Sequence, residues 1–299
     1  MEKGPFSLYD FMGYFIPGAL ALYLFVLFQS DIQYYFNKDF FYEKNKVFLE
    51  LPIYIVLFYV IISYCLGHFL SFFSALTIEK YTRIIYDDPS KLLLANDDFQ
   101  QRSLFKFKKD SFRNFRFKKK CFKNFSVLRF ILFLLIWPLI IYDIFMVRML
   151  KFNHTYLKRI DEPYNLLVKK RISEVFAEIG YKGNLFEDSK NNFHQLLIHY
   201  NYEFTKYHGH KLMNYVSLYG FLRVITLISC LFLNCIVIKY MYAHPFLFNF
   251  DGLKNFFLFL VCLFSICSMT YVFYLGYLKF YRRYTLENLM LVLIIDKKN

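Results

Sequence analysis

The sequence predicts an all-α, polytopic helical membrane protein: two transmembrane hairpins making four spans, a re-entrant or in-plane apolar element, and a helical basic cytoplasmic region. Three observations carry this expectation. Apolar residues make up 57% of the 299 positions and mean hydropathy is +0.31, both above what soluble chains show. Four stretches are long and apolar enough to cross a bilayer, which takes about 20 residues at about 1.5 Å of rise each. The charge, +14 from 37 Lys and Arg against 23 Asp and Glu, is concentrated between those stretches instead of mixed into them.

The first span is read over about 11–30, uncharged between Asp10 and Asp31. Its leading segment MEKGPFSLYD is nearly neutral, and the Ala19-Leu20-Ala21 triplet precedes most of the apolar run. A cleaved secretory signal is therefore not expected, and the span should stay in the mature protein. Pro17-Gly18 should bend or interrupt this helix, which lipid tolerates only where neighbours answer the freed carbonyls.

The second span, about 51–78, carries Ser63, Gly67, Ser71 and Ala75, four small residues spaced by four. That spacing lets two backbones approach closely, which is how helices associate where the surrounding lipid is as apolar as their side chains. His68 lies beside Gly67, near mid-membrane, and is expected to bond to a neighbouring helix or, less favoured, to line an ion path.

The third and fourth spans are read over about 215–238 and 255–277. Arg223, inside the third, should snorkel to the interface or pair with Asp10, Glu79 or Asp143. The apolar element 127–147 contains Pro138 and Asp143, and it is read as re-entrant or in-plane, with a fifth span as the alternative. In a crossing helix Asp143 would need a partner; on a membrane surface it could face water.

Charge sets the expected sidedness. Residues 79–129 hold fourteen Lys and Arg against six acids, and 148–223 hold twelve, whereas 31–50 hold three against four acids and 239–254 hold two. Basic segments stay in the cytoplasm, so both termini and the middle are placed inside and the number of crossings is even. The domains follow as 1–78, an N-terminal hairpin; 79–214, a basic cytoplasmic region; and 215–299, a C-terminal hairpin with a basic tail.

Within the middle region, KFKKDSFRNFRFKKKCFKNF at 106–125 packs nine Lys or Arg and six Phe into twenty positions. As a helix it sets Phe112, Phe115 and Phe122 on one stripe, with Lys118, Lys119 and Lys120 among the adjacent bases. This pattern suits an anionic membrane surface. A solvated or protein-binding face is the second reading, and nucleic acid ranks last because no recognition motif accompanies the bases. Further on, PYNLLVKKRISEVFAEIG after Glu162 reads as an amphipathic helix ending at Gly180, and 193–211 as another.

Catalytic signatures are not found. His194, His199, Glu203, His208 and His210 form the one cluster that hints at a metal, but only His199 and Glu203 share a helical face and the spacing is not that of a zinc-protease helix. The six cysteines show no paired spacing, and five sit in apolar runs as small hydrophobes. No catalytic, cofactor-binding or metal-binding residue is assigned, and no cofactor is expected.

Four fragments, SLYDFMGYFIPGAL, LGHFLSFFSALTIEK, DDPSKLLL and NYVSLYGFLRVI, resemble those of an uncharacterised type of bacterial polytopic inner-membrane protein. The resemblance implies the hairpin architecture and an inner-membrane location, and brings no activity with it. The expected function is that of a non-enzymatic membrane component: an oligomeric effector, pore or anchor, as in stress or phage defence, whose partners are the bilayer, anionic headgroups, further copies of itself or a cytosolic protein. A secondary transporter or ion pathway is the first alternative, and a membrane-embedded metal-dependent or lipid-modifying enzyme the second.

Overall fold

Residues 10–29, 52–94, 133–150, 156, 158–181, 193–204, 209–243 and 250–294 are described in the computed structural model, and they are helical with no strand among them. A π-helical turn, Phe11–Phe15, leads into α1 (Ile16–Gln29). Helix α2 (Ile53–Ser74) passes through a second π turn, Ala75–Glu79, into α3 (Lys80–Tyr86) and then α4 (Pro89–Leu93). Next come α5 (Trp137–Leu150), α6 (Glu162–Glu178), α7 (Phe193–Phe204), α8 (Gly209–Ala243) and α9 (Phe250–Ile294). Three of these runs are long and apolar enough to cross a membrane: Ile53–Leu93, Gly209–Met241 and Phe256–Ile294. Phe11–Val26 and Trp137–Val147 are apolar but shorter. The chain is an integral membrane protein on this ground.

Two units divide the chain. Unit 1 comprises Met1–Glu79, Leu132–Asp143 and Gly220–Leu275; unit 2 comprises Lys80–Ile131, Ile144–Tyr219 and Gly276–Asn299. One boundary between the units falls at 219/220, inside α8, and the segment from Gly276 belongs to unit 2.

In unit 1, α1 and α2 are antiparallel and in backbone contact. A Cβ on Gly18 would come within 1.7 Å of the Ser63 carbonyl oxygen, and one on Gly67 within 1.8 Å of the Tyr14 carbonyl oxygen. Any side chain there would collide with main chain, not with a movable tip. Glycine is therefore required at both positions, and each permits the close approach that small residues allow between membrane helices. The Tyr59 hydroxyl extends the seam one turn further by donating to the Ala19 carbonyl at 3.0 Å.

Pro17 does not break α1. It follows directly on the π turn, where the Ile16 amide bonds back to the Phe11 carbonyl, five residues away. The wider turn moves the carbonyl that a proline ring would strike in a regular α-helix.

Unit 1 also presents apolar side chains outward. Along α2, Ile53, Tyr54, Leu57, Phe58, Ile61 and Phe72 are each more than half exposed, and along α9 Phe257, Leu258, Phe264, Met269 and Val272 are as well. Exposed apolar surface on this scale is what a lipid-facing helix carries.

Unit 2 has a conventional core. Val168, Ile172, Val175 and Phe176 form the inner stripe of α6 at helical spacing, and they pack with Phe193 and Leu197 of α7, Leu93, Ile160, and Leu289 and Val292 of α9. A smaller cluster of Leu212, Tyr284 and Leu291 adjoins Tyr215 and Tyr219. Two buried asparagines of this unit are bonded: the Asn201 amide donates to the Asn288 carbonyl at 2.7 Å, and the Asn288 amide donates to the Tyr284 carbonyl at 2.9 Å.

Local sequence explains the ends of α6. Asp161 precedes it and Pro163 occupies its first turn, where the missing amide costs nothing. At the other end Gly180 adopts φ +87°, its amide bonds the Ala177 carbonyl at 3.0 Å, and the Tyr181 amide reaches Phe176 at 2.9 Å. The Phe176 and Tyr181 rings meet edge to face at 6.0 Å, completing a Schellman cap at the glycine expected to stop the helix.

Two outcomes follow. Gly67→Val forces the α1–α2 backbones apart and costs more than the ~1–3 kcal/mol of ordinary overpacking; the measurement is thermal unfolding of the purified protein in detergent, with Leu258→Val, at an exposed site on α9, as the neutral control. The second concerns His194, a half-buried residue of α7 whose Nε2 meets no hydrogen-bond partner among the described residues. Burial lowers its imidazole to about 4 from an ordinary value near 6.5. Since the folded form resists protonation, the contribution to stability is full above about 6.5 and is lost as pH falls toward 4, by up to about 3 kcal/mol. Urea titrations of the wild type and His194→Leu between pH 7.5 and 4.5 should show the acid-dependent loss shrinking in the variant.

Candidate functional site

Polar side chains inside an apolar bundle have either a structural partner or a task. In unit 1 they fall into three groups.

The first lies where α2 enters its π turn. Arg223 of α8 pairs through Nη1 with the Glu79 carboxylate and donates from Nε to the Ser74 hydroxyl at 3.0 Å. The Ser74 hydroxyl in turn donates a hydrogen bond to the Ser71 carbonyl at 2.7 Å. The π turn carries Glu79 to this position, and of the three acids expected as partners for Arg223, Glu79 is the one found. Both charged side chains are largely enclosed, at 12% and 21% exposure.

The second group was not foreseen from sequence. Asn234 of α8 accepts a hydrogen bond from the Trp137 indole at 2.7 Å. It donates to the Leu135 carbonyl, also at 2.7 Å, and to the Cys230 carbonyl of its own helix at 2.9 Å. Pro138 removes one amide from the start of α5, and the helix there is interrupted by a turn at Ile136. Asn234 therefore bonds a carbonyl beside a proline interruption, where water is scarce. A lone amide side chain within an apolar run, together with the single tryptophan of the chain, was the available signal.

The third group joins α5 to α9. The Tyr142 and Ser268 hydroxyls lie 2.6 Å apart, and the Tyr142 ring sits 5.4 Å from that of Tyr271. Asp143 is 2% exposed and hydrogen-bonds Tyr271. The Asp143 carboxyl is therefore enclosed among side chains and does not face solvent.

The packing residues expected on α2 divide. Ser63 and Gly67 are buried in the α1 contact, whereas Ser71 and Ala75 are half-buried. The buried line continues through Leu70 and Ser74 instead. Strict spacing by four drifts about 40° per step around a helix of 3.6 residues per turn, so a straight contact alternates steps of four and three. His68 is exposed and stacks on the Tyr14 ring at 3.7 Å, with Tyr64 edge-on at 4.6 Å.

Among the histidines weighed for a metal, His194 is half-buried, while His199, Glu203 and His210 are exposed. Among the described residues no three His, Cys, Asp or Glu come together as a metal would need. His208 lies outside the described residues, as do Phe112, Phe115, Phe122, Lys118, Lys119 and Lys120.

No known family, curated protein or solved structure matches this chain.

The Arg223 group makes a discriminating test. Arg223→Met strands the Glu79 carboxylate and should cost about 3–5 kcal/mol, whereas Arg223→Met combined with Glu79→Leu should recover most of that loss. Thermal unfolding of the three proteins in detergent measures both.

Proposed function

We propose that this chain is a non-enzymatic effector of the bacterial inner membrane that crosses it four times, with both termini in the cytoplasm and α5 as a re-entrant element entering from that side. On this reading it acts as an oligomeric pore or anchor. Its basic cytoplasmic region, including 106–125, contacts anionic lipid or a protein partner.

The observation that carries the topology is the direction of the helices in unit 1. Arg223, early in α8, meets Glu79 at the end of the α2 run, and Lys239, late in α8, lies over the Phe28 ring at the end of α1, 5.3 Å from its centre. Helices α1 and α8 thus run the same way. Helix α8 opposes α9 through the Tyr240–Phe259 stack at 3.8 Å, so both hairpins turn on the same side. These directions support the reading of an even number of crossings.

Depth supports the re-entrant reading. Leu135 and Trp137 stand at the level of Asn234, about 16 Å along α8 from Arg223 at the helical rise. If Arg223 marks the cytoplasmic interface, α5 begins near the middle of a bilayer about 30 Å thick and descends to the side it came from. Tyrosines gather where the spans should meet headgroups: Tyr219 lies 6.4 Å from Tyr277 and 5.4 Å from Tyr281, ring to ring.

The non-enzymatic reading rests on how the polar groups are used. Arg223 with Glu79, Asn234 with Trp137, and Asp143 with Tyr271 join helices to each other and do not converge on one reacting centre. An ion pathway is the second reading, favoured by one observation, the enclosed carboxyl of Asp143 on a helix that starts at mid-depth. Asp143→Asn, which keeps the size and the contact with Tyr271, separates the two: it leaves an anchor unaltered and changes the conductance of a pathway.

Reporter fusions at Asn124, Asn153 and Asn192 should all report the cytoplasm. Opposite sides for Asn124 and Asn153 would overturn the four-crossing topology. Expression in cells should raise dye uptake and depolarise the membrane if the effector forms a pore. Unchanged permeability assigns it to anchoring.

A further inference from the structure

The face of α2 that turns away from α1 carries a second pattern. Its contact line with α1 runs through Ser63, Gly67, Leu70 and Ser74. On the far side, Tyr54, Phe58, Ile61, Cys65, His68 and Phe72 follow one another by steps of four, three, four, three and four, and every one is exposed; His68 lies at the edge of this stripe, where one face of its ring stacks on Tyr14. Alternation of four and three is the repeat that keeps a straight seam between two helices. It extends over 19 residues, about 28 Å at the helical rise, which is nearly the thickness of the hydrocarbon core.

His68 breaks the apolar character of this seam. It lies fifteen residues after Ile53 and eleven before Glu79, near the middle of the apolar run, and the Tyr14 and Tyr64 rings cover only part of it. Facing lipid, an imidazole N–H finds no acceptor, and the cost of leaving it unmade favours any arrangement that supplies one.

We propose that this face is the interface between two copies of the chain, with His68 of one copy hydrogen-bonded to His68 of the partner subunit. Copies inserted in one membrane share their orientation, so residue 68 of each lies at the same depth. A neutral imidazole has one donor and one acceptor on diverging sides of its ring, so at a parallel seam the ring of one copy can donate a single hydrogen bond to the ring of the other. The single polar position then fixes the register of the pair, as one buried polar residue does in coiled coils. The inference rests on the proposed membrane crossing by α2 and specifies the oligomer which that reading leaves open.

Cys65, one turn from His68 on the same stripe, is a free, exposed thiol and supplies the probe. A chain retaining Cys65 as its sole cysteine is expressed, and isolated membranes are treated with copper phenanthroline as oxidant. A disulfide-linked dimer is expected in most of the chain. A matched chain with Val60→Cys and no Cys65, its probe about 140° around the helix, should cross-link at least five-fold less. His68→Leu should reduce the Cys65 dimer several-fold, and His68→Asn, which also carries a donor and an acceptor, should restore it.

Equal cross-linking at both probes, or none at Cys65, overturns the interface. Loss that His68→Asn does not restore overturns the role of the imidazole pair. Resistance of each variant to carbonate extraction is measured in parallel. A chain that stays in the membrane yet does not cross-link refutes the dimer alone, whereas one that is extracted refutes the crossing on which it rests.

Discussion

A helix surrounded by hydrocarbon has no solvent to answer a backbone hydrogen bond left unmade, and unit 1 is arranged around that constraint. Two prolines within its helices show how. At Pro17 the preceding turn widens to π geometry, so the chain closes its own bonds over a longer ring. At Pro138 the helix is interrupted, and the Asn234 side chain reaches across from α8 to the Leu135 carbonyl. The first solution is local and needs no partner. The second ties α5 to α8, which makes the position of a discontinuous element depend on one amide.

The same constraint explains why the tightest contact in unit 1 is between main chains. Lipid offers apolar side chains about as good a neighbour as another helix does, so association gains from close approach and from polar pairing more than from burial. Gly18 and Gly67 supply the approach. The Arg223–Glu79 pair supplies the polar joint. Its worth lies in specifying which helix ends meet, because enclosing two charges offsets much of what their attraction contributes. Unit 2 follows the ordinary rule of soluble domains, with aliphatic stripes on α6 and α7 packed around a core.

Much of this was legible in the sequence. Helix-length apolar runs and their breaks define the long helices, because a bilayer demands an uninterrupted stretch and charges end it. Gly180 as a cap and Glu79 as a partner for Arg223 were legible because each depends on neighbours in sequence or on shared depth. The line on α2 was legible only for its first half: Ser63 and Gly67 touch α1, but the packed face turns to Leu70 and Ser74 because a helix does not repeat every four residues. Asn234 and Trp137 escaped notice because their partnership joins positions 97 residues apart. Asp143 could be marked as a residue needing a partner, but which one depended on the placement of Tyr271, and that is a tertiary fact.

The core of unit 2 has a consequence for how the chain is made. Its wall is assembled from Leu93 near the first third of the chain, α6 and α7 from the middle, and Leu289 and Val292 from the last dozen residues. Synthesis proceeds from the N-terminus at about 5–20 residues per second, so α6 and α7 wait with their apolar stripes uncovered until the end of α9 is released. The last span has by then been synthesised. Completion of unit 2 is thus a late event in biogenesis, and a ribosome that stops before residue 289 leaves an open hydrophobic core for chaperones or proteases to recognise.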